Sequence, residues 1–308
     1  MVIVRLFGGL GNQMFQYAAG LRLARHHGTP FKLDLRALLD RRPNKDFVFR
    51  DYNLGIFPIK PDFASRWEAS QYGRDPEWGA MGHLARAIGK LKGCSYFYEP
   101  EHVYDPRVLN LGDNVYLTGV FQDERYFIDC EKEVRTSFDL NPDPTTLPEA
   151  TRKLAEEIRG QKSICLHIRR GDCVAHQLAS RYQGVASMEY NHAAIAELRS
   201  RGADGRVYIF SDDADWCRQT FTDTTQFTVV GDEHAGKLSE THLWLMTLCN
   251  YFAIPNSSFS WWAAWLGKRE GKIVARPARW NREEALKDRD ICPASWLKIN
   301  VASTFSGN

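Results

Sequence analysis

The stretch Ser163-Ile-Cys-Leu-His167-Ile-Arg169-Arg170-Gly171-Asp172 closes an alternating run with two guanidiniums, a glycine and a carboxylate. Ile164, Leu166 and Ile168 alternate with Cys165 and His167, the period of a short strand, so the charged groups are delivered at its carboxyl end. In an open α/β sheet that edge is where ligands bind. A guanidinium offers a fixed fork of donors and stays charged at any working pH, so two in succession suit a doubly charged oxyanion such as a pyrophosphate. The plainer alternative pairs one arginine with Asp172 or a neighbouring acid and leaves the other solvated.

Two other stretches carry polar groups at the same kind of position. Asn256-Ser257-Ser258-Phe259-Ser260 precedes the apolar Trp261-Trp-Ala-Ala-Trp-Leu266. Asn256 or Ser257 can cap the helix that follows, whose first amides form a ready anion site, although an ordinary cap on a Trp-rich core helix has the same pattern. In Phe210-Ser-Asp212-Asp213-Ala-Asp215, the pair Asp213 and Asp215 matches a pattern that holds a divalent metal on a nucleotide diphosphate. Acids also favour the positive end of a helix dipole. Capping plus hydroxyl or base recognition by Asp212 and Asp213 is favoured over metal, because two arginines already neutralise a diphosphate. Asp288-Arg-Asp290 reads as a solvated face.

The elements that must position these groups follow from periodicity. A first strand over residues 2–6 runs into Gly8-Gly9-Leu10-Gly11-Asn12-Gln13 and an amphipathic helix ended by Gly28, then a second strand over 31–35. The glycine spacing is not that of the dinucleotide fingerprint. Residues 41–113 show poor periodicity, with Trp67, Tyr72, Trp78, Tyr96, Tyr98 and Tyr104 available either to stack on sugars or to fill a core. A strand over 115–119 and a helix ending near Arg135 close the first half. Asn141-Pro-Asp-Pro-Thr-Thr-Leu-Pro148 has linker composition, which places domains at 1–148 and 149–308. The second half alternates regularly: helix 149–159, the His167 strand, helix 188–200, strand 206–210, a helix opening at Ser211, strand 227–230, helix 238–250, strand 252–254, helix 257–267 and strand 272–275. Such alternation predicts a parallel sheet flanked by helices, a Rossmann-type domain.

Composition bounds the rest. The chain has 308 residues, 44% of them hydrophobic, and 40 basic against 38 acidic residues. No global field points to nucleic acid or an anionic membrane. The start lacks the flanks of a signal peptide, and no apolar run reaches the ~20 residues of a spanning helix, so a cytoplasmic protein is expected. Seven cysteines without a Cys-x-x-Cys pair argue against a disulfide framework or a zinc site. There is no phosphate-binding loop of the Gly-x-x-x-x-Gly-Lys-Ser/Thr type and no Gly-x-Ser-x-Gly elbow. His26 and His27 compensate a helix end.

Taken together, Gly8-Gly-Leu-Gly-Asn-Gln-Met-Phe-Gln-Tyr-Ala18, Leu117-Thr-Gly-Val-Phe-Gln-Asp-Glu-Arg-Tyr-Phe127, His167-Ile-Arg-Arg-Gly-Asp172, Phe210-Ser-Asp-Asp213, Leu245-Met-Thr-Leu-Cys-Asn250 and Asn256-Ser-Ser-Phe-Ser-Trp-Trp-Ala-Ala-Trp-Leu266 resemble the bacterial α-1,2-fucosyltransferases. The resemblance runs from the first residues to about Leu266. It implies an α/β, GT-B-like fold, two Rossmann-like domains facing a cleft, with GDP-fucose held mainly by the second and the acceptor mainly by the first. It also implies inverting transfer of L-fucose to O2 of a terminal β-galactosyl residue of a glycan, with no cofactor and no obligatory metal.

Carried onto this chain, the resemblance gives Arg169 the β-phosphate and Arg170 the turn or the phosphate. His167 faces the guanine, and Asn256, Ser257, Ser258, Phe259 and Ser260 surround the diphosphate. Gly9, Gly11 and Asn12 form the opposing wall. Asp172 is the first candidate for general base and His176, on the loop that follows, the second. One departure stands out: His242 occupies a position where relatives present an Asp able to bind guanine or ribose, and a neutral imidazole accepts less well than a carboxylate. Glu240, Asp212 or Asp213 are the alternative acceptors.

The resemblance leaves room for a peripheral contact at the inner membrane through a lipid-linked acceptor. The rival readings are a GT-B transferase with another nucleotide sugar or linkage, and a non-catalytic nucleotide-binding protein.

Overall fold

A computed structural model describes residues 1–42, 49–73, 79–99, 103–171, 184–286 and 289–306. The chain divides into two compact units, Met1–Asp139 and Leu140–Asn308. The linker-like 141–148 thus belongs to the second unit.

The first unit begins with β1 (Val2–Arg5), α1 (Leu10–His27) and β2 (Phe31–Asp34). Helix α1 ends at Gly28, whose left-handed conformation (φ 59°) lets its N–H and that of Thr29 return to Arg25 and Ala24, and Arg25, His26 and His27 oppose the dipole of its last turn. Then come α2 (Arg36–Leu39), α3 (Arg66–Ser70), α4 (Gly79–Leu91), β3 (Ser95–Tyr98), β4 (Val115–Thr118) and α5 (Glu131–Ser137). The four strands among the described residues are parallel in the order β2-β1-β4-β3, with Val2 opposite both Phe31 and Val115.

Within 41–113 the structure finds α3, α4 and β3, which periodicity does not signal. The aromatic residues there mostly pack: Tyr72 is buried, Tyr96 stacks on Tyr116 with ring centroids 5.5 Å apart, and Tyr104 lies against Tyr126 and under the Arg125 guanidinium. Tyr98 is exposed, and Trp78 lies outside the described residues.

The second unit runs α6 (Glu149–Gly160), β5 (Ser163–Ile168), α7 (Met188–Ser200), β6 (Arg206–Ser211), α8 (Ala214–Thr220), β7 (Phe227–Val230), α9 (Glu240–Thr247), β8 (Tyr251–Ala253), α10 (Ser258–Leu266), β9 (Ile273–Pro277) and β10 (Leu297–Ile299). Its six strands among the described residues are all parallel in the order β10-β9-β8-β5-β6-β7. Counted from β5 this is 3-2-1-4-5-6, the doubly wound Rossmann order, whose chain reversal falls between β5 and β8.

All six residues of β5 are buried, as a strand covered by helices on both faces must be. Ile164, Leu166 and Ile168 pack with Tyr190, Ala194 and Leu198 of α7 in one cluster. Trp261, Trp262 and Trp265 of α10 pack against one another, and Trp261 also against Trp296. Asp290 is exposed, as expected of this stretch, but it is not a bare charge: its carboxylate receives the buried Arg276 guanidinium at 2.7 Å and Lys298 at 3.0 Å. A buried guanidinium without that partner would be an unpaired charge.

Among the described residues no helix is long and apolar enough to cross a membrane. Cys165, Cys217 and Cys249 are buried, and Cys94, Cys130 and Cys292 are half-buried.

Candidate active site

In the second unit the candidate groups gather at the carboxyl edge of the sheet around the β5/β8 reversal. His167, the penultimate residue of β5, is buried, and its ring lies 5.8 Å from that of Phe259 in the first turn of α10. That contact puts the arginine turn and the tip of α10 on one edge. Burial, then the charges of Arg169 and of His242, pull the His167 pKa down to about 3. It is therefore neutral at working pH. Its Nδ1 is buried and makes no hydrogen bond within the described protein, which marks a group that awaits a partner.

The turn after β5 is fixed to β6. The Arg170 N–H donates to Asp212 Oδ1 at 2.8 Å, its Nε donates to Asp213 Oδ2 at 3.1 Å, and its guanidinium lies 4.0 Å from the centre of the Trp216 ring. Asp213 also caps α8, its Oδ1 accepting from the Trp216 N–H at 3.2 Å. Asp215 points to solvent and pairs with Arg218 at 2.7 Å. The two acids of the Asp-x-Asp pattern thus serve different partners, and the capping role expected of Asp213 holds. With Arg170 engaged this way, the half-buried Arg169 is the member of the pair placed next to His167.

At the head of α10, Ser257 occupies the N-cap position in extended conformation, but its hydroxyl makes no capping bond. Its carbonyl takes the Trp261 N–H at 2.9 Å and the Ser260 hydroxyl at 3.3 Å. Asn256, Ser257 and Ser260 are buried. The first turn of α10 therefore carries hydroxyls and amides with no Ser257 side chain folded over them.

His242, on α9, is buried and meets the Phe210 ring edge-on at 5.6 Å. A carbonyl only accepts, so the 2.9 Å bond to Gly231 O assigns the proton to Nε2 and leaves Nδ1 as an acceptor. Burial lowers the pKa of this ring too. Glu240, an alternative acceptor, is committed elsewhere: its carboxylate takes the N–H groups of Lys237 and Leu238 at 3.1 and 2.7 Å. Asp172 and His176, the candidate bases, lie outside the described residues.

The first unit presents a second constellation at the carboxyl edge of its own sheet. Gly8 has φ +76°, and a Cβ there would lie 2.5 Å from Asn12 Nδ2, so only glycine lets the chain turn under that amide. Gly9 is the N-cap of α1, and Gly11 and Asn12 lie in its first turn. Gln13, which the sequence reading treats only as part of the glycine turn, holds it: its Nε2 donates to Gly8 O and Asp51 O, both at 2.8 Å.

Asn12 Oδ1 accepts from Gln122 Nε2 at 2.7 Å, and Gln122 follows Phe121, which has φ +48°. A buried carboxylate accounts for that conformation. Glu99 Oε2 accepts the Val120 and Phe121 N–H groups at 2.7 and 2.9 Å while Oε1 takes the Tyr126 hydroxyl at 3.0 Å. Sequence reasoning passes over Glu99, whose partners lie across a strand. Glu99→Ala leaves the buried Phe121 amide and the half-buried Val120 amide short of an acceptor, the Tyr126 hydroxyl keeping only Val103 O at 3.3 Å, and is expected to cost roughly 2 to 3 kcal/mol. A denaturant midpoint equal to that of the parent would refute this account of the turn.

The profile of glycosyl transferase family 11 matches residues 94–300. The alpha-1,2-colitosyltransferase of Escherichia coli is 31% identical, over 97% of this chain and 99% of its own length. An O-antigen biosynthesis glycosyltransferase of the same organism is 29% identical over 96% and 99%. Galactoside alpha-(1,2)-fucosyltransferase 2 of Hylobates lar is 26% identical over 86% of this chain and 69% of its own. A polar cluster at the reversal of a Rossmann sheet, a profile that spans most of the chain and a relative matched end to end agree: the protein is a glycosyltransferase and belongs to glycosyl transferase family 11.

Proposed function

We propose that the protein transfers L-fucose from GDP-fucose, with inversion and without a metal, to O2 of a terminal β-galactosyl residue of a glycan. The observation that carries this reading is the His167–Phe259 contact, which joins the arginine turn to the tip of α10 at the sheet reversal. Breaking the glycosyl phosphate bond builds positive charge on the sugar and negative charge on the departing diphosphate. Arg169 and the first-turn amides and hydroxyls of α10 are cationic and dipolar donors fixed in advance at one edge, the arrangement that stabilises such charge. His167 Nδ1 and the His242 Nδ1 acceptor supply directional bonds to the base. Asp172, with His176 second, takes the acceptor proton.

Support for the linkage comes from relatives named as α-1,2 transferases; one of them carries colitose rather than fucose in its name. The decisive assay offers GDP-fucose, GDP-colitose and UDP-sugars with lactose, N-acetyllactosamine and galactosyl-β-1,3-N-acetylhexosamine, with and without EDTA. Transfer from GDP-fucose that survives EDTA is expected. Turnover strictly dependent on manganese defeats the metal-free mechanism, and transfer from GDP-colitose alone reassigns the donor.

A further inference from the structure

Helix α4 (Gly79–Leu91) is built inside out. The residues it buries are small: Gly82, Ala85 and Gly89. A Cβ at Gly89 would lie 1.8 Å from the backbone oxygen of Gln71, so this face is pressed against the α3 segment with no room for a side chain. The large apolar residues are on the outside. Met81 is 49%, Leu84 52% and Leu91 90% exposed, and Ile88 is half-buried. Spaced three, four and three residues apart, they form one stripe roughly 15 Å long at the helical rise. A helix of a globular domain ordinarily turns such a stripe to the core.

We infer that this face docks on an anionic lipid surface. Charge selects the occupant. From Gly79 to Tyr98 there is no Asp or Glu, while His83, Arg86, Lys90 and Lys92 lie along the same stretch. His83 and Lys90 are exposed beside the stripe, and Lys92 is turned back onto the Gln71 side-chain oxygen at 3.3 Å. An apolar stripe flanked by cations is the pattern by which a helix lies in a membrane interface, its side chains among acyl chains and its cations among phosphates. A second copy of the chain would bring the same cations face to face across a two-fold axis. The inference does not depend on which sugar or acceptor is used.

The full-length protein should sediment with vesicles of phosphatidylglycerol and phosphatidylcholine, less with phosphatidylcholine alone, and less in high salt. Leu84→Gln combined with Leu91→Gln should weaken vesicle partition by about tenfold or more, and Lys90→Glu should weaken it on anionic vesicles alone. Transfer to a soluble acceptor should be unchanged in all of them. Leu91→Gln by itself, at an exposed helix end, provides a variant whose fold is not in question. Equal partition of parent and variants, or no binding of the parent to anionic vesicles, overturns the inference. So does a parent dimer that the same substitutions disperse without any vesicle binding, which would make the face a self-association surface.

Discussion

Arg169→Ala is expected to lower the turnover of glycosyl transfer by about a hundred- to a thousandfold, because removing one fixed donor from a developing oxyanion costs roughly 3 to 4 kcal/mol. Arg170 is held on the other side of the turn, its Nε donating to Asp213 and its guanidinium over the Trp216 ring. Arg169→Lys keeps the charge but not the fork of donors, and should recover only part of the loss. Affinity for GDP, measured by calorimetry, should fall less than turnover, since the charge on the diphosphate grows as the bond breaks. Turnover within tenfold of the parent with GDP binding intact would remove Arg169 from the mechanism. A matching fall in thermal stability would show instead that its role is to hold the turn.

The division of labour between the two arginines illustrates what a sequence can and cannot carry. That both end a strand is legible, since buried parallel strands are continuous apolar runs with polar residues at their ends; α7 and β7 fall on the expected residues, and the other expected elements of the second unit within a few positions, while β10 (Leu297–Ile299) is not among those expected. Which arginine is anchored is decided by a neighbour in space. Ile168 lies opposite Ser211 in the β5–β6 ladder, which sets Asp212 and Asp213 beside Arg170, and no local pattern encodes that pairing. The same holds for Glu99, whose value to the Gly119–Gln122 turn exists only once β3 lies beside β4.

Helix α4 escapes for a different reason. Its buried face is written in glycine and alanine, which a hydrophobicity pattern does not register. At the reversal, Ser257 takes the expected N-cap position without the expected side-chain bond. Local propensity and packing agree across most of the second unit and part company at this edge, the kind of place where a functional site is expected.

The pH dependence of stability should carry the signature of His167. In the unfolded chain its imidazole takes up a proton as pH falls through about 6.5, whereas in the fold burial and the Arg169 charge keep it neutral down to about 3. Between those values the unfolded state binds more protons, so stability is fully present above the upper value and drains away as pH falls toward the lower one. For one such group the loss from pH 7 to pH 4 is roughly 3 kcal/mol, and His242, whose pKa burial also lowers, adds to it with the same sign. His167→Gln retains a polar group at the end of β5 but cannot titrate. Its stability, from urea unfolding at a series of pH values, should fall less steeply below pH 6 than that of the parent, by close to one proton in the slope. Parallel profiles for parent and variant would mean that the ring is already charged in the fold, and the neutral hydrogen-bonding role assigned to it beside the nucleotide would fall with that result.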